Sequence, residues 1–401
     1  MTENTVKLKA REEGLICHTY GRYPLTIKSG KGSKLYDFDG KEYIDLLAGI
    51  AVTNLGHCNE ELHQTMVEQG TKLIHVSNLF YQEEQLELAE KLLSTCGADR
   101  VFFANSGAES NEAAIKLARR YQRTVLKKEA YEIITLTNSF HGRTMATLTA
   151  TGQDGLITEG FAPYPEGFTH VPAEDIKALK AAANDKTAAI MVEVIQGEGG
   201  IRPLSQEYVT AVANFCKEND ILLIVDEIQS GMCRSGKFWA HQHYGIVPDI
   251  FTSSKALANG LPMGAMLATE KVAAGFVPGS HATTFGGGAL TSKVAAKVIE
   301  IMLRDDIAGR AEIVGRFALS EIESLKARHP QYIIEGRGKG LMLGIELASN
   351  GQDVFEALVK RGFILNLSHG CVLRLVPALT IAKEDIQSFM KALDEVLTEL
   401  G

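Results

Sequence analysis

The chain holds little that a secreted, membrane-spanning or nucleic-acid-binding protein needs. It has only six cysteines (Cys17, Cys58, Cys96, Cys216, Cys233 and Cys371), far apart and without a Cys-x-x-Cys pair. That spacing argues against a zinc site and against a disulfide framework. The thiols read as reduced and mostly buried, and no metal is expected. No apolar run approaches the roughly 20 residues that span a bilayer. The opening residues, MTENTVKLKAREEG, are polar and mixed in charge, without the apolar stretch of a secretory signal. The expected location is the cytoplasm. Positive charge is also in deficit: the formal net charge is -8. An extended nucleic-acid footprint is therefore not expected, although a local basic pocket is still possible. No repeat, low-complexity tract or Pro/Ser-rich linker divides the chain.

What is present suits a globular fold. Hydrophobic residues make up 45% and charged residues 22%, which argues against extended disorder. A length of 401 residues is long for one compact core, so two domains are expected. Near the N-terminus, runs 34–38 and 42–46 flank Asp39-Gly40, a two-residue hairpin signal. Farther on, helical periodicity over 84–93, 109–121, 174–182 and 207–217 alternates with short apolar runs over 101–104, 133–136, 189–192 and 221–225. Strands this apolar belong in a mostly parallel sheet covered by helices on both faces. The tail changes character. Helices over 292–303, 311–327 and 384–397 accompany strands near Ile333, Leu343 and Leu373. The fold class is α/β, with a smaller α+β domain at the end that also takes in the N-terminal hairpin.

Three segments carry chemistry. In Ala104-Asn105-Ser106-Gly107-Ala108-Glu109, a strand gives way to a small-residue turn and a helix start. Ser106 and Glu109 match a capping box. The free N–H groups at that helix start, unshielded at Gly107 and Ala108, could seat a phosphate; an ordinary capped helix looks the same. In Val225-Asp226-Glu227, two acids end an apolar strand, at the sheet edge where α/β proteins bind ligands. A carboxylate there could hold a protonated pyridine nitrogen; it could equally bind a metal or cap a helix. In Thr252-Ser253-Ser254-Lys255-Ala256-Leu257, a lysine follows the short strand around Ile250. Desolvation among small and apolar neighbours would lower its pKa, as Schiff-base chemistry requires; a surface turn is the other reading.

Taken together, the three recur in order on successive βα connections. The chain resembles the fold-type I pyridoxal 5'-phosphate (PLP) enzymes, specifically the class III (ω-amino) aminotransferases, over essentially its whole length. Further segments carry the likeness: Asn138-Ser139-Phe140-His141-Gly142-Arg143-Thr144, Val192-Glu193-Val194-Ile195-Gln196-Gly197-Glu198, and His281-Ala282-Thr283-Thr284-Phe285-Gly286-Gly287. Gly49-Ile50-Ala51-Val52 with Asn54-Leu55-Gly56-His57, and His75 to Tyr81, are similar to the acetylornithine-type members. Ornithine δ-aminotransferases typically carry tyrosine where Ile50 stands. Gly288 departs from the family, which usually has asparagine there, and this puts the local loop geometry in question.

The resemblance implies an N-terminal segment (1–60) packing with the small domain, a large PLP-binding domain (61–289) and a small C-terminal domain (290–401). It implies that Lys255 holds PLP as a Schiff base and shuttles the proton. Asp226 keeps the ring electron-poor, Gln229 bonds the ring's phenolic oxygen, and Phe140 stacks on its face. Ser106, Gly107 and Ala108 seat the phosphate, helped by Thr284 of a neighbouring subunit in a homodimer. Arg143 and Arg374 hold substrate carboxylates, Glu198 neutralises Arg374 when the amino donor is bound, and Thr283 contacts the acyl substrate. The implied substrates are N2-acetyl-L-ornithine and 2-oxoglutarate, in arginine biosynthesis. Succinylornithine, N-succinyl-diaminopimelate, 4-aminobutyrate and ornithine are the rival donors. A different PLP reaction class and a non-catalytic PLP-binding module are more distant rivals. His57 and His141 read as structural, since titrating near neutrality does not by itself assign a role.

Overall fold

The structure is a computed structural model that describes residues 2–153 and 155–400. Its centre is a seven-stranded sheet. The strands lie in the order Arg100–Ala104, Gly264–Ala268, Ile250–Ser253, Leu222–Asp226, Thr187–Val192, Glu132–Leu136 and Phe168–Val171. All run parallel except Gly264–Ala268, which is antiparallel to both neighbours. Every residue of Thr187–Val192, Leu222–Asp226 and Ile250–Ser253 is buried, as the apolar runs require. Helix Gly107–Thr124 packs on one side of this sheet, and its buried stripe includes Ala113, Ala114, Leu117, Ala118 and Tyr121. The common strand direction has one functional consequence. All six parallel strands end at the same edge, five of them immediately before Asn105, Ser254, Glu227, Glu193 and Thr137.

A second, four-stranded antiparallel sheet is built from Ile333–Lys339, Met342–Leu347, Val372–Leu375 and Asn366–Ser368. Helices Ile307–Arg328, Gly351–Lys360 and Lys383–Glu399 pack around it. The N-terminal strands Ile27–Lys31, Lys34–Asp37 and Glu42–Asp45 form a third sheet, which Phe363–Ile364 joins in parallel. Residues from both ends of the chain thus share one sheet. Helix Ala289–Arg304 packs against Glu60–Gly70 and Glu83–Leu93. Among the described residues no helix is long and apolar enough to cross a membrane.

Local expectations differ from the structure in instructive places. The Asp39-Gly40 turn is not a two-residue hairpin loop. The register Tyr36↔Glu42 and the Asp37 N–H donating to Lys41 O at 3.1 Å leave three residues in the loop. Asp37 causes this: its Oδ1 accepts the N–H groups of Asp39 and Lys41, both at 2.9 Å. Gly40 then takes the left-handed position at φ 84, the pattern of a three-residue hairpin with a bulge. The capping box is also altered. Ser106 Oγ accepts the Glu109 N–H at 3.2 Å, but Glu109 Oε2 reaches past the cap to Asn105 N–H at 2.8 Å. The helix consequently begins at Gly107, two residues before the predicted start. Helices Glu3–Glu13 and Glu60–Gly70 and strands Phe168–Val171 and Gly264–Ala268 are additional to those predicted.

Candidate active site

Asp226 is the centre of a buried network. Its Oδ2 accepts from Asn111 Nδ2 at 2.8 Å and pairs with His141 Nδ1 at 2.8 Å, while Oδ1 accepts the Ile228 N–H at 3.0 Å. Asn111 is itself fixed: Thr252 Oγ1 donates to its Oδ1 at 2.7 Å, and its amide also donates to His141 O at 2.7 Å. These partners fix the position and aim of the Asp226 carboxyl. Asn111 lies one helical turn after Gly107, and Thr252 is the residue in register with Asp226. The helix start, the acid and the strand before Lys255 are therefore one connected unit.

Lys255 opens a short 3₁₀ turn, Lys255–Ala258, just after Ser254. Ser254 Oγ donates to Met263 O at 2.7 Å and fixes the entry to that turn. Lys255 has φ 43, a left-handed geometry that costs a non-glycine residue about 1–3 kcal/mol and persists where the surroundings impose it. Burial lowers its pKa to about 8; the Glu198 carboxylate opposes that shift and the Arg374 guanidinium adds to it. Glu198 and Arg374 form an ion pair through Oε1 and Nη1. Burial, the largest influence, pushes the Glu198 carboxyl up, but Arg374, Lys255 and Gln229 together outweigh it, so it lies below its ordinary value. Arg374, on strand Val372–Leu375, is fully buried and its Nε has no partner among the described residues.

The remaining predicted residues fall into two groups. Gln229 is buried beside this cluster, and its Oε1 has no partner among the described residues. Phe140 flanks His141, and the exposed Arg143 lies over its ring at 5.5 Å. Arg143 makes no ion pair among the described residues. By contrast, Thr284 lies exposed at the surface of the chain. Thr283 is engaged within its own chain, where Oγ1 accepts from Asn105 Nδ2 at 2.9 Å. Ile50 lies in a left-handed turn, Ala48 to Ala51, all four at positive φ. Gly288 is buried at the start of helix Ala289–Arg304. His57 Nε2 pairs with Asp45 Oδ2 at 2.7 Å, while His141 serves Asp226. Asn111, Thr252 and Glu193 had no individual role in the sequence reading. Asn111 was accessible through helical spacing from Gly107.

The donor set fits PLP. Gly107 and Ala108 offer helix-start N–H groups to a phosphate. A Cβ on Gly107 would fall 2.8 Å from Ile228 Cδ1, so the turn admits no larger side chain without moving the residue two places past Asp226. Asp226 could pair with the ring nitrogen, Gln229 could meet the ring hydroxyl through its unpartnered oxygen, and Lys255 could condense with the aldehyde.

The class-III aminotransferase family model matches residues 15–397. The acetylornithine aminotransferase of Methanocaldococcus jannaschii is 46% identical over 384 residues, covering 95% of each chain. That of Caldanaerobacter subterraneus is 44% identical, covering 97% of this chain and 98% of the relative. Among solved structures, the ornithine aminotransferase of Toxoplasma gondii superposes with a TM-score of 0.95 at 29% identity, over 100% of this chain and 96% of that one. The acetylornithine aminotransferase of Elizabethkingia anophelis gives a TM-score of 0.88 at 31% identity, over 99% and 100%. With its buried lysine and acid at the shared strand edge, this chain belongs to the class-III aminotransferases, a family of PLP-dependent transaminases.

Proposed function

We propose that the enzyme moves the terminal amino group of N2-acetyl-L-ornithine to 2-oxoglutarate, giving N-acetyl-L-glutamate 5-semialdehyde and L-glutamate, in arginine biosynthesis. The observation that carries this reading is the Glu198–Arg374 pair beside Lys255. A transaminase must accept two unlike substrates at one site. A buried arginine that can be neutralised by a neighbouring carboxylate does this: closed, it presents no net charge to the acylated donor; open, it binds the α-carboxylate of glutamate or 2-oxoglutarate. Identities of 41–46% to acetylornithine aminotransferases support the same substrate.

PLP, when bound, supplies the electrophilic carbonyl and the electron-withdrawing ring. The chain supplies the rest. Lys255 would hold the cofactor through Nζ, and the same Nζ, once free, would take and return a proton. Asp226, held in place by Asn111 and His141, would pair with the ring nitrogen. Gln229 orients the ring hydroxyl and Phe140 covers a face. Arg143, without an ion pair among the described residues, takes the donor's α-carboxylate, and the apolar Ile50 tolerates an acylated α-nitrogen that carries no charge.

We extend the proposal to assembly. The exposed Leu79, Phe80, Tyr81 and Phe285 are linked through the His75–Phe285 ring contact at 5.4 Å and through Asn78 Nδ2 donating to Gly286 O at 3.0 Å. An apolar surface of this kind marks an interface; a second copy of the chain would bring Thr284 to its neighbour's phosphate and Thr283 towards the acyl group. The division at 60 and 289, with 1–60 joined to the small domain, is supported by the pairing of Phe363–Ile364 with Glu42–Asp45. A cytoplasmic location is proposed on the same family grounds. Ornithine is the rival donor that the solved neighbours favour. Comparing kcat/KM for acetylornithine, succinylornithine, ornithine and 4-aminobutyrate decides between them. Acetylornithine is expected to lead ornithine by about tenfold or more, the discrimination available from one mismatched polar group. A preference for ornithine would overturn the assignment.

A further inference from the structure

Glu193 is buried directly after strand Thr187–Val192, and among the described residues neither oxygen of its carboxyl forms an ion pair. Oε2 accepts the Phe140 N–H at 2.9 Å and Oε1 accepts the Gly197 N–H at 3.2 Å. One side chain therefore joins two loops. The first carries Phe140 and His141; the second carries Gly197 and Glu198, the partner of Arg374. Two weaker ties run alongside. Gln196 Nε2 donates to Thr137 O at 2.8 Å. A Cβ on Gly199 would lie 2.7 Å from Asn138 O, so the second loop touches the first through a residue without a side chain. Glu193 is the one ionisable member of this seam. Burial pushes its carboxyl up to about 7, with His141 lowering it and Asp226 raising it. A buried carboxyl is costly to retain unless its hydrogen bonds matter.

We propose that Glu193 is a positioning residue that locks the Phe140 loop to the Gly197–Glu198 turn, so that the ring-covering side of the site and the Arg374 gate move as one unit. The inference rests on the functional reading of Phe140, Glu198 and Arg374 given above. It has a directional consequence. A firmly held turn keeps Glu198 on Arg374, and 2-oxoglutarate must displace it. Loosening the turn weakens that competition while also loosening the cover over the cofactor.

Glu193→Gln tests this. The amide keeps one acceptor and turns a donor toward the other N–H. Affinity of the apo-protein for PLP, measured by equilibrium dialysis, is expected to fall about tenfold, the scale of one lost charge-assisted hydrogen bond. The KM for 2-oxoglutarate is expected to fall as well, while that for acetylornithine does not. A variant that is only destabilised would not bind one substrate more tightly. Unchanged PLP affinity, or two KM values that rise together, overturns the proposal. Hydrogen exchange on the wild-type protein gives an independent reading if the variant does not fold. The Phe140 and Gly197 amides should exchange together and gain protection together when PLP is added. Independent exchange overturns the lock whichever amino donor the enzyme uses, and a wild-type enzyme inactive on acetylornithine would count against the substrate assignment alone.

Discussion

At pH 7 an ordinary lysine is neutral in fewer than about one molecule in a thousand, whereas a lysine of pKa about 8 is neutral in about one in ten. That difference is the chemical content of burying Lys255, because only the neutral amine attacks a carbonyl. The sign follows. Burial disfavours the ammonium, so the reactive form accumulates as pH rises towards 8 and saturates above it. The rate at which apo-protein takes up PLP, followed by its visible absorbance, is expected to rise about tenfold per pH unit below about 8 and then level off. A rate still climbing to pH 10 would show that Lys255 behaves as an exposed lysine. Asp226 makes the complementary case. Three partners on its two oxygens hold its carboxyl in place, and it works against the downward shift of the lysine without reversing it.

Elements carry these residues to one place, and the sequence declares some elements more loudly than others. The buried strands were legible because four to six consecutive apolar residues between turns have few other uses. Asp226 and the Gly107 turn were legible because each ends or follows such a strand, whereas Lys255 follows a shorter one with only Ile250 and Phe251 apolar and was legible by its order after the other two. Glu3–Glu13 was not, since it has only one buried residue and shows no apolar stripe. Gly264–Ala268 follows a turn-rich stretch and has no predicted element, yet it fills the sheet between Arg100–Ala104 and Ile250–Ser253. The left-handed turn at Ala48–Ala51 defies propensity altogether. Three of its four residues carry a Cβ, at about 1–2 kcal/mol each. Asp45 Oδ1 holds the entry by accepting from Leu47 and Ala48 N–H at 2.9 Å, and the strain fits a segment shaped for substrate. The Gly107 helix start makes its own prediction. In Gly107→Ala, the new Cβ meets Ile228 Cδ1 at 2.8 Å and its branched Cγ2 at 2.9 Å. Ile228 must shift and pull on the Asp226–Gln229 turn. PLP affinity is expected to fall about tenfold, and Gly107→Ala combined with Ile228→Ala to recover most of it, because the two side chains share one contact. Additive losses would place the clash elsewhere.

For the whole molecule, the decisive question is whose Thr284 serves which site. Within one chain Thr284 is exposed, while its neighbour Thr283 is bonded to Asn105 at 2.9 Å. The segment is thus tied to the turn before Gly107 of its own chain while presenting Thr284 outward, as the proposed donation across a two-fold axis would require. Two inactive or weakened variants can separate the arrangements. A Lys255→Ala chain lacks the anchor but keeps Thr284. A Thr284→Ala chain keeps the anchor but gives up the hydroxyl. If the hydroxyl crosses the interface, a mixed dimer holds one site with both residues intact, because the Thr284→Ala chain's lysine receives the Lys255→Ala chain's threonine. The other site then loses both. Random reassociation of equal amounts makes half the dimers mixed, so about one quarter of all sites recover wild-type composition. Activity at saturating acetylornithine and limiting PLP should rise towards that fraction after the variants are denatured and refolded together. If the hydroxyl serves its own chain, no mixture contains an intact site, and refolding the two together would leave activity at the average of the separate variants.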